Sequence, residues 1–235
     1  MLWNNYCGDL INNGNFNLYK MKTVFLFSVL ILVTGSLFAQ QDAKAKEILD
    51  KLSQINKSYK SIQIDFSFTL ENKTGSITET NEGSVALKGK SYRLHMPALG
   101  MEVFSDGVAT WSYLTQSNEV NITENEGSDA ALNPANLFTI YEKGFKYTYI
   151  GEENVGGKAS QIIDLFPIDK AKEFTKVRLC IDKSKYQILM AKTFNKDGNV
   201  YTLSMKNMKT DQNLTDDFFK FDTAKYPKVE INDMR

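Results

Sequence analysis

From residue 62 onward, large apolar side chains alternate with polar ones, which is the pattern of strands that bury one face. The first stretch, SIQIDFSFTLE, places Ile62, Ile64, Phe66, Phe68 and Leu70 on one side and polar side chains on the other. Turn-forming residues separate this run from the later ones, as in NKDGN at 195–199. Further strands are predicted at 77–87, 91–96, 101–105, 109–114, 120–123, 145–151, 160–166, 176–182, 188–194 and 200–206.

Two segments follow a helical period instead. Between residues 41 and 61, apolar side chains recur at steps of three and four, which predicts one amphipathic helix with Asp42 as its N-cap. A second helix is predicted at 133–144, where Pro134 suits the first turn and Gly144 suits the end.

Successive strands joined by tight turns indicate antiparallel meander pairing, and a sheet of this width tends to curl. The two helices are the elements that can cover its concave side. The predicted fold is mainly β with α: an incomplete antiparallel β-barrel of about ten to eleven strands, with a helical lid over a concave apolar face.

The start of the chain has the features of an export signal. Residues 21–40 contain a lysine, an apolar run at 24–33 and a small-residue exit at Ala39, which is the pattern of a cleaved signal peptide. The apolar run is too short for a membrane span. We therefore expect residues 1–39 to be an extension plus signal peptide, with Met21 as the true start, and residues 40–235 to form a single domain. Cys180 is the one cysteine of that domain, so an internal disulfide and an acylated cysteine after the signal are not expected.

Charge and composition narrow the possible partners. The chain has 28 basic and 28 acidic residues, so no net charge attracts nucleic acid or an anionic membrane. A hydrophobic share of 42% is typical of a folded domain.

No arrangement typical of catalysis emerges. His95 is the single histidine and alternates with Leu94 and Met96, so it is predicted to point away from the apolar face. Cys180, in VRLCID, is interpreted as a structural thiol, and one His and one Cys are a weak basis for zinc. Gly156-Gly157 lies in a hairpin with no following helix to bind phosphate. We expect no enzyme activity, no cofactor and no metal site.

The notable feature is the number of aromatic and long apolar side chains on strands. They could simply fill a core against the two helices. However, two modest helices can hardly cover the inner surface of so broad a sheet, and a surplus concave apolar face suits a carrier of amphiphiles. The side chains in question are Phe66, Phe68, Tyr92, Leu94, Met96, Trp111, Tyr113, Phe145, Tyr147 and Tyr149.

The order of several short motifs resembles the family of periplasmic outer-membrane lipoprotein carrier proteins, LolA. The motifs include DFSF, SDGVATWSYL, NPANLF and the closing FFKFD, and the resemblance spans roughly residues 43–231. It implies a half-barrel that accepts acylated lipoproteins from an inner-membrane lipoprotein-releasing ABC transporter and carries them through the periplasm to an unidentified outer-membrane acceptor. A monomer is expected. Together with the strand aromatics, the resemblance gives the predicted lipid-binding residues Ile64, Phe66, Phe68, Tyr92, Leu94, Met96, Trp111, Tyr113, Leu137, Phe138 and Tyr147, of which Leu137 and Phe138 fall in the lid helix.

One departure concerns the latch of the lid. The family usually has an arginine after the lysine that corresponds to Lys88, whereas this chain has Gly89 followed by Lys90. A lysine can replace the charge but not the planar fork of the guanidinium group. Two other functions stay open: a sensor of envelope lipids or lipoproteins that signals through a protein partner, and, third, a lipid hydrolase.

Overall fold

Antiparallel strands account for most of the chain in this computed structural model, which describes residues 43–72, 74, 78–124 and 140–235. Helix α1 occupies residues 43–58. The strands are β1 Ile62–Glu71, β2 Thr78–Lys88, β3 Ser91–Met96, β4 Met101–Ser105, β5 Ala109–Leu114, β6 Glu119–Glu124, β7 Phe145–Val155, β8 Lys158–Pro167, β9 Phe174–Asp182, β10 Ile188–Asn195, β11 Val200–Thr210 and β12 Glu230–Asp233. Short 3-10 turns lie at Pro97–Leu99, Ile140–Glu142, Asp216–Phe219 and Thr223–Lys225.

The strands form one sheet in the order β12-β6-β5-β4-β3-β2-β1-β11-β10-β9-β8-β7. Every neighbouring pair is antiparallel except β12 with β6, which is parallel. Strands β12 and β7 stand at opposite ends of this order, so the sheet is open. The predicted fold class is confirmed, with twelve strands rather than ten to eleven because the C-terminal tail adds β12.

Two predicted features fall partly or wholly outside the described residues. Of the predicted helix at 133–144, residues 133–139 are not described, and residues 140–142 form a 3-10 turn. The predicted extension and signal peptide at 1–39 are also outside the description. Within the part that is described, no helix has both the length and the apolarity needed to cross a membrane.

Strand β1 lies between β2 and β11 and shows why the alternation produces a two-sided sheet. Ile62, Ile64 and Phe66 are buried, whereas Asp65 between them is exposed. A bulge at the Asp65/Phe66 pairing with β11 leaves Lys206 without a partner in the register. The bulge changes the side-chain parity of β11 at that point.

The sheet face that carries Ile64 packs against α1 and is called the inner face from here on. Ala45, Ile48, Leu49 and Leu52 form the apolar stripe of α1, as the helical period predicts, and they share one buried cluster with this face. The strand members of that cluster include Ile64, Phe66, Val85, Leu87, Tyr92, Leu94, Met96, Ile163, Leu165, Val177, Leu179, Ile181, Ile188, Ala191 and Leu203.

The opposite surface, called the outer face, carries a second apolar cluster. Phe104 and Tyr113, on β4 and β5, contact Phe221 and Tyr226 of the C-terminal segment, with ring centroids 4.5 to 6.5 Å apart. Segment 211–235 then ends in β12, which pairs with the edge of β6. The C-terminal segment therefore shields apolar side chains on the outer face and covers one edge of the sheet.

Candidate lipid-binding surface

Burial on the inner face is graded. Its centre is fully buried: Ile163, Val177 and Leu179 have no exposed area, and neither does Leu52 of α1. Around this centre lies a set of apolar side chains that are only partly buried. These side chains are Tyr59, Phe68, Met101, Val103, Phe145, Tyr147, Tyr149, Tyr186, Met205 and Met208.

Lysines of α1 reach β7 and the connection between β9 and β10. The Nζ of Lys44 lies 3.9 Å from the ring centroid of Tyr149 and 4.0 Å from a carboxylate oxygen of Glu152. The Nζ of Lys51 donates a 3.5 Å hydrogen bond to the hydroxyl of Tyr186. Both lysines are about half exposed, so each contact contributes little to stability.

The C-terminal half of α1 is attached to the 3-10 turn Ile140–Glu142. The Glu142 carboxylate accepts hydrogen bonds from the hydroxyl of Ser53 and the ammonium of Lys57, both at 2.7 Å. The Lys57 hydrogen bond, followed by that of Ser53, lowers the pKa of Glu142. Asn56 donates to the hydroxyl of Tyr141 at 3.4 Å, and burial raises the pKa of that tyrosine. Helix α1 is thus held mainly by its buried apolar stripe, with polar contacts at its margins.

The partly buried set is rich in methionine and aromatic rings. Met205 lies directly opposite Phe66 and Met208 opposite Ile64, so both methionines border the buried centre. Methionine has three flexible bonds and a polarisable sulfur, and it repacks around irregular apolar partners at low cost. This margin of the inner face is the part of the described surface that is chemically suited to an acyl chain.

Seven of the predicted lining residues occupy this face. Ile64, Phe66, Tyr92, Leu94 and Met96 are at most 9% exposed and belong to the buried cluster. Phe68 and Tyr147 are partly buried at its margin. Whether any of them contacts lipid stays a prediction.

The structure does not place Trp111 and Tyr113 on the inner face. Phe104 is opposite both Arg93 on β3 and Trp111 on β5, and directly opposite residues share a face. Because Arg93 lies between the inward Tyr92 and Leu94, this places Trp111 on the outer face. Tyr113, opposite Glu102, lies there too. The expectation of one continuous lining is corrected here, because both rings pack in the outer-face cluster that also holds Phe221. Leu137 and Phe138 lie outside the described residues.

Several side chains at the margin were not predicted, among them Tyr186 and four residues of β4 and β11. Met101 and Val103 sit in MEVFS, a short strand with apolar residues of both parities, so its pattern does not reveal the inward side. Met205 and Met208 both face inward although they are three residues apart, because the bulge at Lys206 changes the parity. No sequence signal marks that bulge.

The residues considered for catalysis, metal binding or latching of the lid have surroundings that are typical of structural side chains. His95 lies on the outer face, with 51% of its side chain exposed and its Nδ1 3.7 Å from Glu102. Cys180 is 1% exposed, and burial raises the pKa of its thiol to about 11. Lys88 donates to the carbonyl of Leu214 and to the Asp216 carboxylate, both at 2.8 Å, so it anchors the C-terminal segment. Across the described ranges, no three or more His, Cys, Asp or Glu side chains are grouped so as to hold a metal.

With this geometry in place, comparison with protein families gives a direct assignment. A profile of the outer membrane lipoprotein carrier protein LolA matches residues 57–222. The chain belongs to the LolA family. Comparison with curated proteins gives no match. The family is named for carrying outer-membrane lipoproteins, so binding of lipid or lipoprotein is the class of function that membership indicates.

Solved structures are similar at low sequence identity. An uncharacterized conserved protein from Thermus thermophilus is 15% identical with a TM-score of 0.55, over 80% of this chain and 98% of that one. A DUF1329 family protein from Desulfovibrio piger is 15% identical with a TM-score of 0.47, over 77% of this chain and 97% of that one. A LolA superfamily protein from Nitrosomonas europaea is 15% identical with a TM-score of 0.44, over 76% of this chain and 98% of that one. The likeness to the Thermus protein concerns the fold.

Proposed function

We propose that this protein is a non-enzymatic periplasmic carrier that shields the acyl chains of lipoproteins against its inner face and moves them from the inner to the outer membrane. Its membership of the LolA family carries this proposal. The margin of partly buried aromatic and methionine side chains around α1 supplies the surface. In this scheme the donor is an inner-membrane lipoprotein-releasing ABC transporter, and the signal peptide within segment 1–39 directs export to the periplasm and is then cleaved.

Such a carrier must compensate for a large free-energy cost of taking acyl chains out of a membrane. Each methylene of an acyl chain favours an apolar environment over water by about 0.8 kcal/mol, so a lipid with several chains does not leave a membrane at a useful rate unaided. A carrier must offer replacement contacts and still release its cargo. Side chains that already rest against a packed centre, yet keep part of their surface free, satisfy both demands because they need little rearrangement.

Uptake of a fluorescent sixteen-carbon fatty acid by delipidated protein tests the surface. Phe68→Asp and Tyr147→Asp place a carboxylate at the margin without disturbing the fully buried centre. Since that carboxylate loses hydration when a chain lies over it, we expect at least about a tenfold loss of affinity. Phe166→Asp is the matched control, since Phe166 is 40% exposed and alternates with the inward Leu165. Equal affinities in all three variants would refute the assignment of this face.

Delivery separates a carrier from a sensor. Protein loaded with an acylated lipoprotein is mixed with acceptor vesicles, and the lipoprotein is followed by flotation. A carrier transfers its cargo to the vesicles, whereas a sensor keeps it and is recovered with a signalling protein. N-terminal sequencing of exported protein tests the location, with a first residue of Gln40 expected.

A further inference from the structure

The outer face contains a groove that the carrier function does not use. Its volume is about 470 Å³, and it is lined by described residues of β1, β2, β3, β4 and β11 and by Phe218. The C-terminal segment lies along one side of it, since Phe218 belongs to the 3-10 turn Asp216–Phe219. The groove is therefore separated by the sheet from the surface assigned to lipid.

The strand registers define two rows of side chains that cross the groove at right angles to the strands. The first row is Lys209, Gln63, Ala86 and Arg93, and the second is Asn207, Asp65, Ser84, His95 and Glu102. Four spacings between five adjacent strands give the second row a length of about 19 Å, and residues two apart on a strand separate the rows by about 7 Å. The small side chains of Ala86 and Ser84 lie in the middle, which makes the surface concave there.

The charges of the groove balance locally. Arg93 donates from Nη2 and Nε to the same oxygen of Glu102, at 2.7 and 3.2 Å, and the other oxygen of Glu102 accepts from Tyr226 at 2.9 Å. Asp65 accepts a 3.2 Å hydrogen bond from Asn207. Lys209 adds a second cation. A strongly anionic ligand would meet Asp65 and Glu102, and a cationic one would meet Arg93 and Lys209.

Several hydrogen-bonding groups in the groove are still available. Gln63, Ser84 and Lys209 make no side-chain hydrogen bond or ion pair to any other residue of the described part of the chain. Gln63 and Ser84 can both donate and accept. The ring of Phe218 stands beside them, with the Arg93 guanidinium 4.8 Å from its centroid. The groove thus combines available groups that both donate and accept with one aromatic wall.

We propose that this groove binds a neutral oligosaccharide, either free or as part of a larger envelope glycan. Sugar hydroxyls donate and accept at once, which matches Gln63, Ser84 and Asn207, and the C–H face of a sugar ring suits Phe218. An extended peptide is the poorer match. All five strands under the groove are paired on both sides, so their backbone groups are not free to bind a peptide by strand addition.

Two-dimensional amide NMR of the full-length protein, titrated with maltotetraose and separately with the tetramer of N-acetylglucosamine, tests this inference. We expect shifts confined to residues of the groove at millimolar sugar. Gln63→Ala should weaken binding at least about fivefold, because it removes one unpaired amide group. The control Gln116→Ala, an exposed glutamine in the β5–β6 turn, should leave binding unchanged.

A blocking variant and a second ligand complete the test. Ala86→Phe fills the middle of the groove and should abolish binding, and if it does not fold, Gln63→Ala still decides. Co-sedimentation with insoluble chitin, a neutral polymer of N-acetylglucosamine, that is lost in Gln63→Ala would indicate that the sugar is recognised within a larger glycan, and binding of the soluble tetramers alone would indicate a free sugar. The proposal is overturned if neither tetramer shifts the groove resonances and the protein does not sediment with the polymer. It is also overturned if a Gly-Ser hexapeptide binds the groove and the sugars do not. The fatty-acid assay reports on the inner face and is not expected to change in either variant.

Discussion

Gly83 and Phe66 form a cross-strand pair whose geometry predicts the effect of a single added methyl group. The two residues lie directly opposite each other on β2 and β1. A Cβ placed on Gly83 would lie 2.6 Å from Cζ and 2.9 Å from Cε2 of Phe66, and 3.0 Å from the carbonyl oxygen of His95. Phe66 is 2% exposed, so its ring has little room to move away. Gly83→Ala therefore forces the ring out of its position on the inner face.

Two opposing contributions set the change in the free energy of unfolding that Gly83→Ala causes. Replacing a strand glycine by alanine stabilises the folded state by roughly 0.5–1 kcal/mol, because a chain with alanine has less backbone entropy to lose on folding than a chain with glycine. Overpacking a closely packed core costs about 1–3 kcal/mol. We expect a net loss of up to about 2.5 kcal/mol in the free energy of unfolding, which for a domain of this size lowers Tm by up to roughly 10 °C.

Urea unfolding followed by Trp111 fluorescence measures this loss, and a double-mutant cycle assigns it. In a Phe66→Leu background the ring atoms that clash are absent, so Gly83→Ala should become neutral or stabilising. The coupling free energy should be about 1–3 kcal/mol, as for other residues in contact. If the two substitutions are additive, or if Gly83→Ala alone is stabilising, the contact between ring and backbone does not limit packing at this position.

Three further predictions concern the outer face. Burial raises the pKa of Asp164, but the hydrogen bonds of Arg178 and Lys176 outweigh this and leave the pKa below its usual value. The ionised Asp164 therefore stabilises the fold above about pH 4, and this contribution is lost as the pH falls further. The free energy of unfolding of Asp164→Asn should accordingly depend less on acid pH than that of the wild type. Cys180, whose thiol pKa burial raises to about 11, should resist iodoacetamide at pH 8 until urea unfolds the chain, as peptide mass spectrometry can show. Lys88→Met should speed amide hydrogen exchange in residues 211–221 but not in α1, because Lys88 binds the C-terminal segment through Asp216. Faster exchange in α1 would instead indicate that Lys88 latches the helix.

The alternation of side chains predicts strands such as β1, which bury one face with a period of two, whereas β8 is buried on both faces along residues 160–165. β1 illustrates this: Ile62, Ile64 and Phe66 are buried and Asp65 is exposed, as the pattern predicts. The apolar stripe of α1 was likewise predictable from its period. In each case the signal lies within a single element.

The assignment of faces between elements could not be predicted in the same way. The alternation of side chains between the two faces continues along a regular strand, but a bulge shifts it, and each connection resets it by its own number of residues and its own backbone conformation. Between Met96 and Trp111 the chain passes through Gly100 and Gly107, both with positive φ, in two separate turns. Nothing in the alternation indicates that Trp111 then emerges on the outer face.

Both faces of this sheet bear aromatic side chains, and this weakens any inference from their total number. Phe104 and Tyr113 contact Phe221 and Tyr226 of the C-terminal segment, and Trp111 packs against the same outer-face cluster. They cannot also be counted as surface for a lipid. The case for an acyl-binding surface therefore depends on the margin of the inner face, which consists largely of side chains from β1, β4, β7 and β11. Part of the predicted aromatic excess serves to attach the C-terminus, and the carrier hypothesis rests on the position of the remaining side chains rather than on their number.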